Sequence, residues 1–421
     1  MLETAFLRSA FDCAVHAAHP GSCLTRALGE IEERGPALVL GAGKAAAAMA
    51  AAFHAEWERD VRGLVVTRYE HGLRSGEDAG AIEVLEAGHP LPDGASVNAG
   101  VRLLEQASSL SDQEQLYWLV SGGGSALAAA PLPPLTFEQK RDAADFLIRA
   151  GADIREINCV RKHLSGLKGG RLARAAHPNR VTTFAISDVP GDEIADIASG
   201  PTIPDPTTQT EALAILRRYE YPATAELERV LLDPGFESPK PTDPAFSADR
   251  RSVIATAATA LSAAGQLLRE RGYEVVDLGD DLAAQAHLLG REHAQIALQY
   301  KDMGRKVAIM SGGETRVVLR KSNGRGGRNL EYLAGLALGL DDAPGIHALA
   351  ADTDGIDGNG GHAGGYVVPG IVAAGDTLGI SLAERLDQND CYSFFEACDT
   401  LLITGPTRTN VNDFRLILCE P

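Results

Sequence analysis

The stretch "ALVLGAGKAAAAMAAAFHAEW" (37–57) runs from an unbroken apolar segment through a glycine turn into a helix-forming segment, and the chain repeats that grammar. "QLYWLVSGGGSALAAAP" (115–131) and "RKVAIMSGGET" (305–315) open in the same way. A strand with one face in water alternates apolar and polar residues, whereas a run apolar throughout suits a strand covered on both faces. Repeated strand–glycine–helix units therefore predict an α/β fold built on parallel sheet rather than a β-sandwich. Composition agrees, since aromatic residues are only 5% of the chain while 45 of its 421 residues are glycine.

A chain of 421 residues exceeds one typical core, so two domains of unequal size are expected. The first, over 1–245, holds strands near 37–41 and in "RGLVVTRYEHG", "AIEVLEAGHPLPDG", "QLYWLV" and "RVTTFAISDVPGDE", with a mainly helical segment at 137–172. The proline-rich "DPGFESPKPTDPAFSADRR" (233–251) reads as a linker or an irregular surface loop. The second, over 246–421, resumes with strand–helix–strand in "RSVIATAATALSAAGQLLRERGYEVVDLGDD". Two strands and a helix follow across 305–340, then strands in "HALAADTDGIDG" and "TLLITGPTRTNVND".

With 57 acidic and 39 basic residues the formal net charge is -18. Such a chain is repelled by a duplex or an anionic bilayer at long range, so neither nucleic acid nor membrane is an expected partner. No stretch approaches the ~20 apolar residues of a membrane span. "MLETAFLRSAFDCAVHAAHPG" lacks the basic start and apolar core of a signal peptide, and a cytoplasmic location is expected. Cys13, Cys23, Cys159, Cys391, Cys398 and Cys419 contain no CxxC spacing and read as buried free thiols.

Against this acidic background "NGRGGRNLE" (323–331) sets Arg325 and Arg328 among three glycines. An arginine fork binds phosphate or carboxylate bidentately, so the loop predicts an anionic ligand. The other glycine and polar clusters fall at the carboxyl ends of strands, where open parallel sheets bind ligands. "GAGKAA" (41–46) fits the loose GxGxxA pattern, in which Gly41 and Gly43 allow a tight turn and backbone approach to a phosphate. Lys44 inside that loop is unfavourable at the positive end of a helix dipole unless a phosphate sits beside it. The next strand ends "VVTRY" with no acid to hold a ribose, which weighs against NAD and leaves NADP open.

Ser121, Gly122, Gly123, Gly124 and Ser125 form one candidate anion-binding turn, and Ser311, Gly312, Gly313, Glu314 and Thr315 another. Each is equally readable as a tight turn with a serine cap. "INCVRKHLSGLKGGRLA" (157–173) gathers Arg161, Lys162, His163, Lys168 and Arg171 as either a solvated basic face or a binding surface, with His163 structural rather than a base. Asp188 and Asp192, four apart, and Asp352, Asp354 and Asp357 follow strand ends. Such carboxylates suit Mg2+, which uses few protein ligands, although Asx turns explain them as well. Phosphate, arginine and metal sites together describe phosphoryl transfer.

Seven blocks carry a resemblance: "GAGKAAAAMA", "LVSGGGSAL", "INCVRKHLSGLKGGRLA", "SDVPGDEIADIASGPTIPDPTT", "SGGETRVVLRKSNGRGGRNLE", "ALAADTDGIDG" and "TGPTRTNVNDF". In that order, over about residues 4–419, the chain resembles the glycerate 2-kinases of the MOFRL type. The resemblance implies a larger Rossmann-like parallel-sheet N-terminal domain, a smaller α/β C-terminal domain with the MOFRL region at about 305–415, and an active site in the cleft between them. It implies ATP- and Mg2+-dependent phosphorylation of the C2 hydroxyl of D-glycerate.

By position, the resemblance assigns catalysis to Lys44, Arg325, Arg328 and Asp188, metal to Asp188, Asp192, Asp354 and Asp357, and ligand contacts to Asn410 and Asn412. Two positions depart from the family: Leu330 stands where glutamine often follows GGRN, and Arg408 where glycine is usual. Relatives are often labelled hydroxypyruvate reductases, so NAD(P)H-dependent reduction of hydroxypyruvate is the alternative, and a sensing module without turnover a third reading. The sequence specifies no assembly, and a homodimer stays open.

Overall fold

The apolar runs pair into two six-stranded sheets. A computed structural model of the chain describes residues 2–321 and 324–421. The first sheet contains β1 (Ala37–Ala42), β2 (Val61–Arg68), β3 (Ile82–Ala87), β4 (Gln115–Val120), β5 (Val181–Ile186) and β6 (Arg250–Ala255). Its order is β3-β2-β1-β4-β5-β6, and the pairs joining β1 to β5 are all parallel. This is the doubly wound Rossmann order, whose direction of growth reverses between β1 and β4. Every residue of β1 and β5 is buried, which is why their sequences show no alternation. β3 lies at the edge and exposes Glu83 and Glu86.

Leu38, Leu40, Val66, Leu116 and Trp118 fill the core of this sheet. A second cluster joins the helices Phe137–Arg149, Ile154–His163, Gln209–Arg218 and Ala225–Leu232 through Leu147, Val160, Leu213 and Val230.

The second sheet contains β7 (Glu274–Asp277), β8 (Val307–Ser311), β9 (Ile346–Asp352), β10 (Gly364–Val367), β11 (Leu401–Leu402) and β12 (Asp413–Cys419), in the order β11-β10-β9-β12-β8-β7. Only the β7–β8 pair is parallel; the other pairs are antiparallel. β12, absent from the sequence reading, sits centrally between β9 and β8 and is buried throughout. The second strand expected within 305–340 does not form among the described residues. There Arg316 makes one isolated bridge to Gln285, and Val318 and Leu319 are exposed.

The chain divides into two compact units, Cys23–Ile254 and Met1–Ser22 with Ala255–Pro421. These limits differ from 1–245 and 246–421 in two places. β6 completes the first sheet and carries the first unit to Ile254. The helix Leu2–Ala18 belongs with the C-terminal residues: Phe11 meets Phe414 edge-on at 6.0 Å, and Thr409 donates to the Ala18 carbonyl at 2.7 Å. The 233–251 segment is a loop inside the first unit with 3-10 turns at Pro234–Phe236 and Pro244–Phe246, not a linker. All six cysteines are free thiols, with Cys13 and Cys398 only partly buried. Among the described residues no helix is long and apolar enough to cross a membrane.

Candidate active site

At the carboxyl ends of β1 and β4 two glycine loops interlock. Gly43 has φ 144°, and a Cβ there would lie 2.1 Å from the Ser121 hydroxyl, so only glycine lets the loops approach. The Lys44 N–H donates to the Gly122 carbonyl at 2.9 Å. Ser121 is buried, and its Oγ accepts from the Ala45 N–H at 3.0 Å. The helix Ala46–Glu56 has no side-chain cap of its own, so Ser121 supplies one from the neighbouring loop. Ser121 thus has a bracing role.

Gly41 is similarly tight against the Leu119 carbonyl, and Gly124 against that of Ala42. Gly123 has φ 82°, and the position of its missing Cβ lies 3.5 Å from the Lys44 side chain. Among the described residues the N–H groups of Gly122 and Gly123 have no hydrogen-bond acceptor, while the side chain of Lys44 is partly exposed. Two undonated N–H groups beside a lysine make an anion-accepting corner.

The basic segment is not a solvated face, because Lys162, His163 and Lys168 are all buried. The Lys168 ammonium donates to the Ser125 carbonyl at 2.9 Å and hydroxyl at 2.7 Å, tying this segment to the β4 loop. Burial, then repulsion from Lys140 and Arg161, push its pKa well below the lysine range. Lys162 lies 3.6 Å from Asp205, a fully buried carboxylate that the sequence reading passed over. Asp205 also accepts from the Thr207 N–H and hydroxyl, and its one visible signal was an acid between two prolines in "IPDPTT".

His163 is structural, as expected: its ring nitrogens meet the Cys159 carbonyl at 2.9 Å and Glu237 at 3.0 Å. Arg171 donates to the Phe236 and Glu237 carbonyls. Arg161 makes no hydrogen bond or ion pair among the described residues, and Asp145 is the acid that acts on it electrostatically.

Asp188 and Asp192 follow β5, both partly exposed, with Asp192 at φ 54°. Among the described residues no group of three or more His, Cys, Asp or Glu is placed to hold a metal. A carboxylate at a strand end is the kind of hard oxygen donor that a divalent cation takes alongside water and phosphate.

In the second unit the two arginines of "GRGGR" do different things; Asn323, which opens that motif, lies outside the described residues. All three guanidinium nitrogens of Arg328 are committed to carboxylates: Nε to Asp413 at 2.8 Å, Nη1 to Glu314 at 2.7 Å and Nη2 to Asp352 at 2.7 Å. Burial disfavours its charge, but Asp413, Asp352 and Glu314 outweigh that and hold its pKa above the ordinary range. Arg325 is half-exposed, lies 4.1 Å from the Tyr392 ring centroid and makes a 3.2 Å ion pair with exposed Glu396. Arg325 can exchange that surface partner for a ligand, whereas Arg328 is held by three carboxylates with one N–H left on each of Nη1 and Nη2.

The "SGGET" turn is braced rather than open. Arg415, buried on β12, donates to the Gly312 carbonyl at 2.6 Å and to the Gly313 carbonyl at 3.4 Å. Gly313 has φ 99°, Thr315 is buried beside Asp413, and Ser311 is buried at the end of β8. Asp357 is corrected from metal ligand to helix cap: its oxygens accept from the Asn329 and Leu330 N–H groups, both at 3.1 Å, at the start of the helix Arg328–Leu340. Asp354 accepts from the Ile356 N–H at 2.8 Å in an Asx turn.

Asn410 and Asn412 are buried, and the Asn412 carbonyl accepts from the Thr353 N–H and hydroxyl. Arg408 has φ 62°, which explains why glycine suits that position, and Leu330 is wholly inside the core.

Comparison with known proteins places residues 6–232 in a family described as "Domain of unknown function (DUF4147)" and residues 307–413 in the MOFRL family. An Agrobacterium vitis protein named provisionally as a hydroxypyruvate reductase is 44% identical over 420 residues, covering 98% of this chain and 93% of its own. The D-glycerate 2-kinase of Thermotoga maritima is 36% identical over 381 residues, covering 89% of each. The crystal structure of a glycerate kinase from Thermotoga maritima superposes with a TM-score of 0.90 at 33% identity, covering 99% of both chains.

Proposed function

Since the chain belongs to the glycerate kinase family, with its DUF4147 and MOFRL regions, we infer that it is a D-glycerate 2-kinase. It transfers the terminal phosphoryl group of ATP to the C2 hydroxyl of D-glycerate, giving 2-phospho-D-glycerate and ADP. The observation that carries this reading is the juxtaposition on three adjacent parallel strands. Lys44 follows β1, the free N–H groups of Gly122 and Gly123 follow β4, and Asp188 follows β5.

A phosphoryl group spread over three oxygens needs cationic and N–H donors around it, which Lys44 and the β4 loop supply. Asp188 accepts the proton as the glycerate C2 oxygen bonds to phosphorus and the bond to the bridging oxygen of ADP breaks. Asp188 and Asp192 would hold Mg2+, which when bound neutralises the charge on the phosphate oxygens. Arg325 is the arginine assigned to the ligands' negative charge, and Arg328 to the framework beneath it.

The reductase name of one relative and the doubly wound sheet favour a second reading. Against it, β2 ends Thr67–Arg68, without the acid that would hold the ribose of NAD, and a lysine occupies the glycine loop. One assay decides. The purified protein with ATP, Mg2+ and D-glycerate is expected to form ADP and 2-phosphoglycerate; oxidation of NADH or NADPH by hydroxypyruvate without ATP would reverse the assignment.

A further inference from the structure

Beside the β4 glycine loop the first unit contains a cavity of about 420 Å³. Pro90, Leu91, Phe137 and Ile148 contribute an apolar wall, and Lys140, Arg161 and Lys168 contribute cations. Gly123 and Ser125 also line it, so it opens onto the loop next to Lys44. Its size lies within the ~300–1,000 Å³ typical of small-molecule sites, and a three-carbon acid would fill only a fraction of it.

The charge of this cavity is unbalanced. Lys140 is buried, and its ammonium donates to the Ala130 carbonyl at 3.1 Å and the Ser165 hydroxyl at 3.4 Å, both neutral acceptors. Lys168 likewise donates only to the neutral oxygens of Ser125 and Ala198. Arg161 has no hydrogen-bond or ion-pair partner among the described residues, and Asp145 is the acid lining the cavity. Burial disfavours the charged forms of both lysines, and Arg161 and Arg141 stand beside them against the single carboxylate of Asp145, so this set of basic groups is completed by an anion that enters the cavity.

We propose that this cavity is the nucleotide's seat: its apolar wall receives the adenine and ribose, and Lys140, which nothing in the kinase reading uses, joins Arg161 of the basic segment in neutralising the phosphates that lead past Gly123 to Lys44. The identity of the ligand rests on the kinase reading; the demand for an anion of more than three carbons does not. Lys140 and Arg161 are thus nucleotide-binding residues, and Ile148, 51% exposed at the rim, controls access to the apolar end.

The test is ADP affinity by titration calorimetry without glycerate, together with KM for ATP and for D-glycerate. Lys140→Met removes the charge and keeps the volume; Ile148→Trp fills the apolar end from a half-exposed position that does not threaten folding. Each is expected to weaken ADP binding at least tenfold and to leave the glycerate KM unchanged. Unaltered ADP affinity in Ile148→Trp overturns the proposal whatever Lys140→Met does. A raised glycerate KM with ADP affinity intact also overturns it and assigns the cavity to the acid. ADP binding lost in both variants of a protein that shows no glycerate turnover leaves the seat standing and fails the kinase reading alone.

Discussion

Replacing Arg328 with alanine leaves Asp413 and Asp352 facing each other without their shared cation. Breaking a buried ion cluster by removing one partner costs about 3–5 kcal/mol, so Arg328→Ala is expected to lower the unfolding midpoint sharply in calorimetry. Arg325→Ala loses an exposed ion pair and a ring contact, and Lys44→Ala truncates a partly exposed side chain. Both are expected to keep the melting temperature and lower kcat at least a hundredfold; near-normal turnover in both would remove them from the mechanism. The pair of arginines was legible in "GRGGR", but the division of labour was not, because the carboxylates that consume Arg328 come from positions 314, 352 and 413.

Lys140 adds a pH dependence: burial, then Arg161, lower its pKa from 10.5 to about 7. Between those values the unfolded chain carries the proton and the folded chain does not, so this lysine's destabilisation fades as pH rises from 7 towards 10.5. An anion in the cavity favours the charged form, so ADP binding should take up a proton and weaken as pH rises above 7. Arg161, Lys168, Arg141, His89 and Asp145 line the same space, and a Lys140→Met variant isolates the lysine's share. Calorimetry in buffers of different ionisation enthalpy reads the proton directly.

At the level of elements, Asp357 and Asp188 separate a cap from a candidate metal ligand. Asp357→Ala should destabilise the helix Arg328–Leu340 by about 1 kcal/mol, within the usual 0.5–2 for a lost N-terminal cap, and leave the Mg2+ requirement unchanged. Asp188→Asn should instead lower kcat, since an amide cannot accept the hydroxyl proton, and in the remaining activity raise the Mg2+ concentration for half-maximal rate; equal Mg2+ curves for wild type and Asp188→Asn would end its metal role. The strand-and-glycine grammar of β1, β4, β5 and β8 was readable because burial on both faces leaves only one kind of residue. β12 was not readable, since "DFRL" carries two charges into a buried strand, and they are tolerable only because Asp413 and Arg415 pair with each other. The mirror error was "RVVL", apolar enough for a strand, yet Val318 and Leu319 are exposed among the described residues.

For the whole molecule, the two units have different relations to the chain: Cys23–Ile254 is continuous, whereas the other is assembled from both ends. Deleting residues 2–18 should therefore uncover Phe414 and the helix Ala257–Glu270, against which the N-terminal helix packs. Amide hydrogen exchange should then show lost protection within 255–421, while β1, β4 and β5 stay protected; the reverse pattern would contradict the division. The shared unit also sets a timetable for synthesis. Phe414 leaves the ribosome roughly 20–80 s after Phe11 at about 5–20 residues per second. Throughout that interval the continuous unit can complete itself, while the helix Leu2–Ala18 waits with its oily face for the rest of its unit. Translation speed and chaperone supply will therefore be felt first in the helix Leu2–Ala18, which contains none of the residues assigned to catalysis.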